Sequence, residues 1–207
     1  SFSPCNQYGV QSHCFNGLGS GWRSTLEGQT LSRSYEPLVA ADLKRLGRLA
    51  ALDRADLFRR KIETGRLYGD RLFAVALCQG GALHYLDGKN GIKDLDVWSF
   101  FKPNPERRFP YRRRAELDFG DPKFGQSEDA PSFVGRRVDH IGRAIPDTDY
   151  SDPVAVLRRY LRNGKTESAR RLSAKPVILI EPARFFGTVV WPESAPAIQS
   201  SRCHFVL

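Results

Sequence analysis

Methionine is absent from the 207 residues, cysteine occurs four times, and the longest apolar run, Leu72 to Cys78, has seven residues. A helix needs ~20 apolar residues to cross a bilayer, so no transmembrane helix and no membrane partner is expected. The first fifteen residues contain no apolar core, so no secretory signal is expected there. The chain opens on Ser1, as expected of a processed or partial chain. Four scattered cysteines do not make a disulfide framework. Cys78 lies inside the apolar run and reads as a small buried hydrophobe. Cys5, Cys14 and Cys203 lie near His13 and His204, but no metal-ligand spacing joins them, so no zinc site is expected. A reduced, cytoplasmic protein is the expectation.

Lysine is also scarce: 24 of the 32 basic residues are Arg and only 8 are Lys. A GC-rich genome produces that bias, so Arg excess alone does not indicate nucleic acid. The formal charge of +9 does fit an anionic partner such as a nucleotide, polyphosphate or RNA. Residues 73–145 are among the least basic parts, with ten acids against twelve bases. The hydrophobic fraction of 41% and mean hydropathy of −0.43 describe a globular chain able to bury a core without staples.

Residues 1–36 balance two basic against two acidic residues and carry clusters such as NGLGSG. They read as an irregular N-terminal arm, and 37–207 as a single domain. Pro37 fits a helix start, Leu43, Leu46 and Ala50 recur at helical spacing, and Asp53 reads as the cap of a second helix stopped by Gly65. The basic residues of that segment read as a solvated face. Strands are expected at 72–79, 93–101, 136–142 and 176–181. ALHYLD after Gly80-Gly81 reads as a short helix. Asp152-Pro153 opens a longer one ended by Asn163-Gly164, and another follows from Thr166. Residues 102–134, rich in Pro, Arg and Gly, read as a long loop or hairpin. The expected class is α/β or α+β, with a mixed sheet flanked by helices.

The chemistry centres on Asp94-Leu95-Asp96. Side chains alternate along a strand, so the two carboxylates share one face and Leu95 and Val97 share the other. Two carboxylates on one face of an apolar strand repel unless a cation or solvent relieves them. Magnesium suits that role, since it takes carboxylate and phosphate oxygens together. Asp139, in Val138-Asp139-His140-Ile141, repeats the pattern. If its strand lies beside the first, three carboxylates converge as two-metal phosphoryl chemistry requires. Upstream, Gly80 and Gly81 end a strand and open a helix, where bare amides can approach a phosphate. The competing reading makes Asp-x-Asp the solvent face of an edge strand.

The order CQGGALHYLDGKNGIKDLDVW followed by VDHI resembles the polymerase-beta-like nucleotidyltransferase superfamily. Its pattern is a Gly-Gly or Gly-Ser turn, an acidic-x-acidic strand about a dozen residues on, and a third acid in a later strand. Here Asp94 lies 13 residues after Gly81, and the resemblance covers about 70 residues. Gly81 stands where many members carry Ser, which removes a hydroxyl, and a long insertion precedes Asp139. The resemblance implies a nucleotidyltransferase with magnesium or manganese on Asp94, Asp96 and Asp139, and an NTP triphosphate on Gly80 and Gly81. It implies that Asp139 helps deprotonate the attacking hydroxyl. The acceptor could be RNA, protein or a small molecule, as in branches that include toxins and antibiotic-modifying enzymes. A chain keeping this fold as a non-catalytic nucleic-acid-binding or interaction module is the alternative.

Arg107 to Arg114 holds five Arg and two aromatics in eight residues. Arg112, Arg113 and Arg114 are therefore expected to bind the triphosphate or an RNA acceptor, against a solvated loop paired with Glu106, Glu116 and Asp118. His140 is expected to point away from Asp139 and pack in the core, as is Lys93 to point away from Asp94. His84 reads as a core or helix-surface residue, and Asp87 as a turn residue. Asp118-Phe119-Gly120 lacks the other elements of a kinase, and Gly88-Lys89 lacks the spacing of a P-loop.

Overall fold

A computed structural model describes residues 36–89, 91–109, 114–126 and 131–194, with the backbone alone at 114 and 115. They belong to one compact unit, Ser32–Leu207. Almost all of the N-terminal arm, together with Cys5, Cys14, Cys203, Arg112 and Arg113, lies outside the described residues.

The expected mixed sheet is present. It has six strands: β1 (Leu72–Cys78), β2 (Leu95–Phe101), β3 (Arg114–Asp118), β4 (Arg137–Ala144), β5 (Val177–Glu181) and β6 (Val189–Trp191). Their order is β3-β4-β2-β1-β5-β6. The β2–β4 pair is parallel and the others are antiparallel.

Helices cover both faces, because the strands are apolar on both. On one face α1 (Ala40–Arg60) and α3 (Gln79–Asp87) bury Leu43, Leu46, Ala50 and Ala82 against Val75, Leu77, Leu95, Val97, Val138 and Ile178. On the other, α4 (Pro153–Asn163) and α5 (Glu167–Ser173) set Val156, Leu157, Leu161 and Leu172 against Ala74, Ala76, Phe100 and Leu179. A smaller cluster joins Leu57, with Leu67 and Tyr68 of α2 (Ile62–Tyr68), to Phe101 and Phe109.

The helix ends follow their capping residues. Asp152 accepts from the amides of Val154 and Ala155, Pro153 takes the first turn, and Gly164 closes α4 at φ 57°. The Thr166 hydroxyl accepts from the Ala169 amide at the start of α5. Asp87 accepts from the Lys89 amide, as a turn residue does.

Three expectations about the first two helices need correction. Helix α1 starts at Ala40 rather than at Pro37, because the Asp42 carboxylate reaches back to the Val39 amide at 2.8 Å. It also runs unbroken through Asp53, whose carboxylate is buried and committed to His140 instead of a cap. Gly65 lies within α2 rather than ending a helix. Within 102–134, residues 114–118 form β3. Its two alternating apolar residues, Ala115 and Leu117, are too short a pattern to mark a strand alone, and pairing with β4 completes it.

Candidate functional site

Register decides which side chains meet. Asp96 on β2 is the partner of Asp139 on β4, Cys78 on β1 is the partner of Asp96, and Glu116 on β3 is the partner of Asp139. Since paired residues point to the same face, Cys78, Asp96, Asp139 and Glu116 form one row across four strands. Asp94, two residues before Asp96 and just ahead of β2, lies beside that row. The three aspartates expected to converge are therefore neighbours, and Glu116 is a fourth carboxylate beside them. In the sequence Glu116 stands out only as a partner of the arginine segment, in the alternative that makes that segment a solvated loop. The signal that would have found it is the alternation of Arg114, Glu116 and Asp118 once that segment is recognised as a strand.

The cation among these carboxylates is Arg137, the first residue of β4. Its Nη2 donates to Asp94 Oδ2 at 3.0 Å, its Nε lies 3.3 Å from Asp139 Oδ1, and its Nη1 lies 3.7 Å from Glu116 Oε1. The depths differ. The Asp139 side chain is 4% exposed, Arg137 21%, Asp94 28% and Glu116 47%, so the cluster runs from core to solvent. Carboxylate oxygens are the hard donors that magnesium takes, so the residue types fit that ion. Asp94, Asp139 and Glu116 each engage Arg137. Among the described residues no group of three His, Cys, Asp or Glu side chains is arranged to hold a metal.

Helix α3 begins directly after Cys78, next to Asp96. Gln79 opens it at φ 58°, and its side-chain amide donates to the Arg171 carbonyl at 2.8 Å. No side chain caps this N-terminus. A Cβ at Gly80 would meet nothing within 4 Å, so the backbone there is open to a ligand. At Gly81 a Cβ would lie 3.0 Å from Leu95 Cδ2 and 3.1 Å from Leu77 Cδ1. Close packing of α3 on β1 and β2 thus accounts for glycine where the resembling family often has serine. Burial, reinforced by the Asp96 carboxylate, pushes the Cys78 thiol well above its ordinary range.

The opposite face of β2 and β4 carries a second polar set. His140 Nε2 lies 2.9 Å from Ser99 Oγ, and His140 Nδ1 meets Asp53 of α1 in a short hydrogen bond. Arg54 Nη1 donates to Ser99 Oγ at 3.2 Å, and Arg54 Nη2 reaches Glu181 at 3.3 Å. Asp53, Ser99 and His140 are 5%, 0% and 1% exposed, so this set ties α1 to the sheet and cannot meet substrate. His140 does point away from Asp139. His84 is buried as well, with Nε2 2.8 Å from the Glu36 carbonyl, and Lys93 is exposed.

The arginine segment is only partly described. Arg112, Arg113 and the side chain of Arg114 lie outside the described residues; Arg114 enters as the first backbone residue of β3. Arg108 lines a cleft of about 540 Å³ with Tyr68, Asn104, Phe109 and Arg143, at the other end of β4 from the carboxylates. No helix among the described residues is long and apolar enough to cross a membrane. In the comparisons with known proteins, no family model, no curated protein and no solved structure matches the chain.

Proposed function

We propose that this protein is a metal-dependent nucleotidyltransferase that moves a nucleoside monophosphate from an NTP to an acceptor hydroxyl. The observation carrying this reading is the pairing of Asp96 with Asp139 on adjacent parallel strands, beside the uncapped start of α3. Asp94, Asp96 and Asp139 would hold magnesium or manganese, which when bound neutralises the triphosphate and activates the α-phosphorus. Gly80 leaves the first amides of α3 uncovered, so they donate to phosphate oxygens. Asp139, the most buried of the three, takes the proton of the acceptor hydroxyl. That oxygen bonds to the α-phosphorus as the bond to the β-phosphate oxygen breaks, and pyrophosphate leaves. The acceptor is an RNA, a protein or a small molecule, and the setting is cytoplasmic.

The ion pairs of Arg137 favour a second reading. A guanidinium that already compensates the carboxylates suits a non-catalytic binding module that keeps the fold. Incubation of the full chain with each α-labelled NTP, magnesium or manganese, and a cell lysate separates the two. Label on an RNA, protein or metabolite, lost in Asp94→Asn and Asp96→Asn, supports the enzyme. No transfer from any NTP supports the module.

A further inference from the structure

Arg137 contacts Asp94, Asp139 and Glu116 at once. Its position is fixed by register. It precedes Asp139 by two residues on the same face of β4, and it is the partner of Asp118 on β3. A guanidinium presents its donors in a planar fork, so it can engage several carboxylates from one point. A divalent ion bound by the same carboxylates would face the same oxygens, and two cations cannot share them without repulsion.

We propose that Arg137 is a built-in counter-ion that competes with the divalent metal for this carboxylate cluster and must swing away for the metal to load. This rests on the nucleotidyltransferase reading and adds its regulation. Arg137 is 21% exposed, so its head group has a path to solvent. An incoming triphosphate is a strong acceptor for a displaced guanidinium, and the open start of α3 lies beside the cluster on neighbouring β1. Metal and an anionic substrate then load together, while metal alone is held off. The occupant that displaces Arg137 is thus a polyanion carrying its own divalent ion, as an NTP does.

The test is Mn²⁺ binding to the full chain without nucleotide, measured by calorimetry and by water-proton relaxation, for wild type, Arg137→Gln and Arg137→Lys. Removing the competing charge tightens Mn²⁺ binding by about tenfold or more in Arg137→Gln, the effect expected for relief of one close charge contact. Arg137→Lys, which keeps the charge but not the fork, falls between the two. If Arg137→Gln folds only with Mn²⁺, metal-dependent folding is the same result in another form. Equal or weaker Mn²⁺ binding in both variants overturns the proposal and leaves the nucleotidyltransferase reading standing. No Mn²⁺ binding by any of the three proteins also overturns the proposal, and the nucleotidyltransferase reading is then decided by the label-transfer assay.

Discussion

Replacing Asp53 with alanine isolates the buried network that holds β4 in place. Asp53 is 5% exposed and His140 1%, and their hydrogen bond joins α1 to the strand that carries Asp139. Alanine leaves the His140 ring nitrogen buried without that acceptor. Orphaning a buried hydrogen-bond partner costs about 1–3 kcal/mol. Breaking a buried ion pair from one side costs about 3–5 kcal/mol. The expected loss is therefore about 2–4 kcal/mol, between the two regimes. For a domain of this size each kcal/mol moves Tm by about 2–4 °C, so a fall of about 5–15 °C is expected. Differential scanning calorimetry and urea unfolding measure it. Asp53→Asn retains a side-chain acceptor and loses less. The double variant Asp53→Ala/His140→Ala loses less than the sum of the single variants, because each removes the same contact. A Tm within 2 °C of wild type for Asp53→Ala would refute the reasoning, showing that the contact between α1 and β4 does not need this pair.

Other consequences follow from single positions. Gly142→Ala drives a methyl into the Phe109 ring, whose Cζ would lie 2.7 Å from it and which stacks on Phe101 at 4.4 Å. Urea unfolding should show a loss of about 1–3 kcal/mol. The Asp147 carboxyl is held at about 2, below its ordinary 3.8, chiefly by hydrogen bonds from Arg159. A depressed carboxyl stabilises the fold above its unfolded value, so the Tm advantage of wild type over Asp147→Asn should be complete above about pH 5 and vanish towards pH 2. The raised, fully buried Cys78 thiol should resist iodoacetamide at pH 8 in the native protein and react once urea unfolds it, as read by peptide mass mapping.

The parts of this fold legible in the sequence are those specified by local chemistry. The apolar run of β1, the Gly-Gly turn into α3, the Asp152-Pro153 start of α4 and its Gly164 stop each encode their own structure. Strand β3 was legible only within a segment read as a loop or hairpin, because five residues with two apolar ones become a strand only through their partner. Asp53 misled for a related reason. In a helical segment an aspartate looks like a cap, and only the tertiary position of His140 gives it a different use. The neighbourhood of Asp94, Asp96 and Asp139 followed from alternation once β2 and β4 were adjacent strands. Arg137 and Glu116 were not singled out: alternation puts Arg137 on the Asp139 face, but its contacts with Asp94 and Glu116 depend on β3 and β2 lying either side of β4.

The central claim is that Asp96 and Asp139 belong to one phosphoryl-transfer site. It is tested most directly by label transfer from the accepted α-labelled NTP in wild type and in Asp96→Asn, with both shown to be folded by circular dichroism. The account expects transfer by wild type and a loss of at least about a hundredfold in the variant, as for removal of a metal-binding carboxylate. Transfer at the wild-type rate by Asp96→Asn would contradict it.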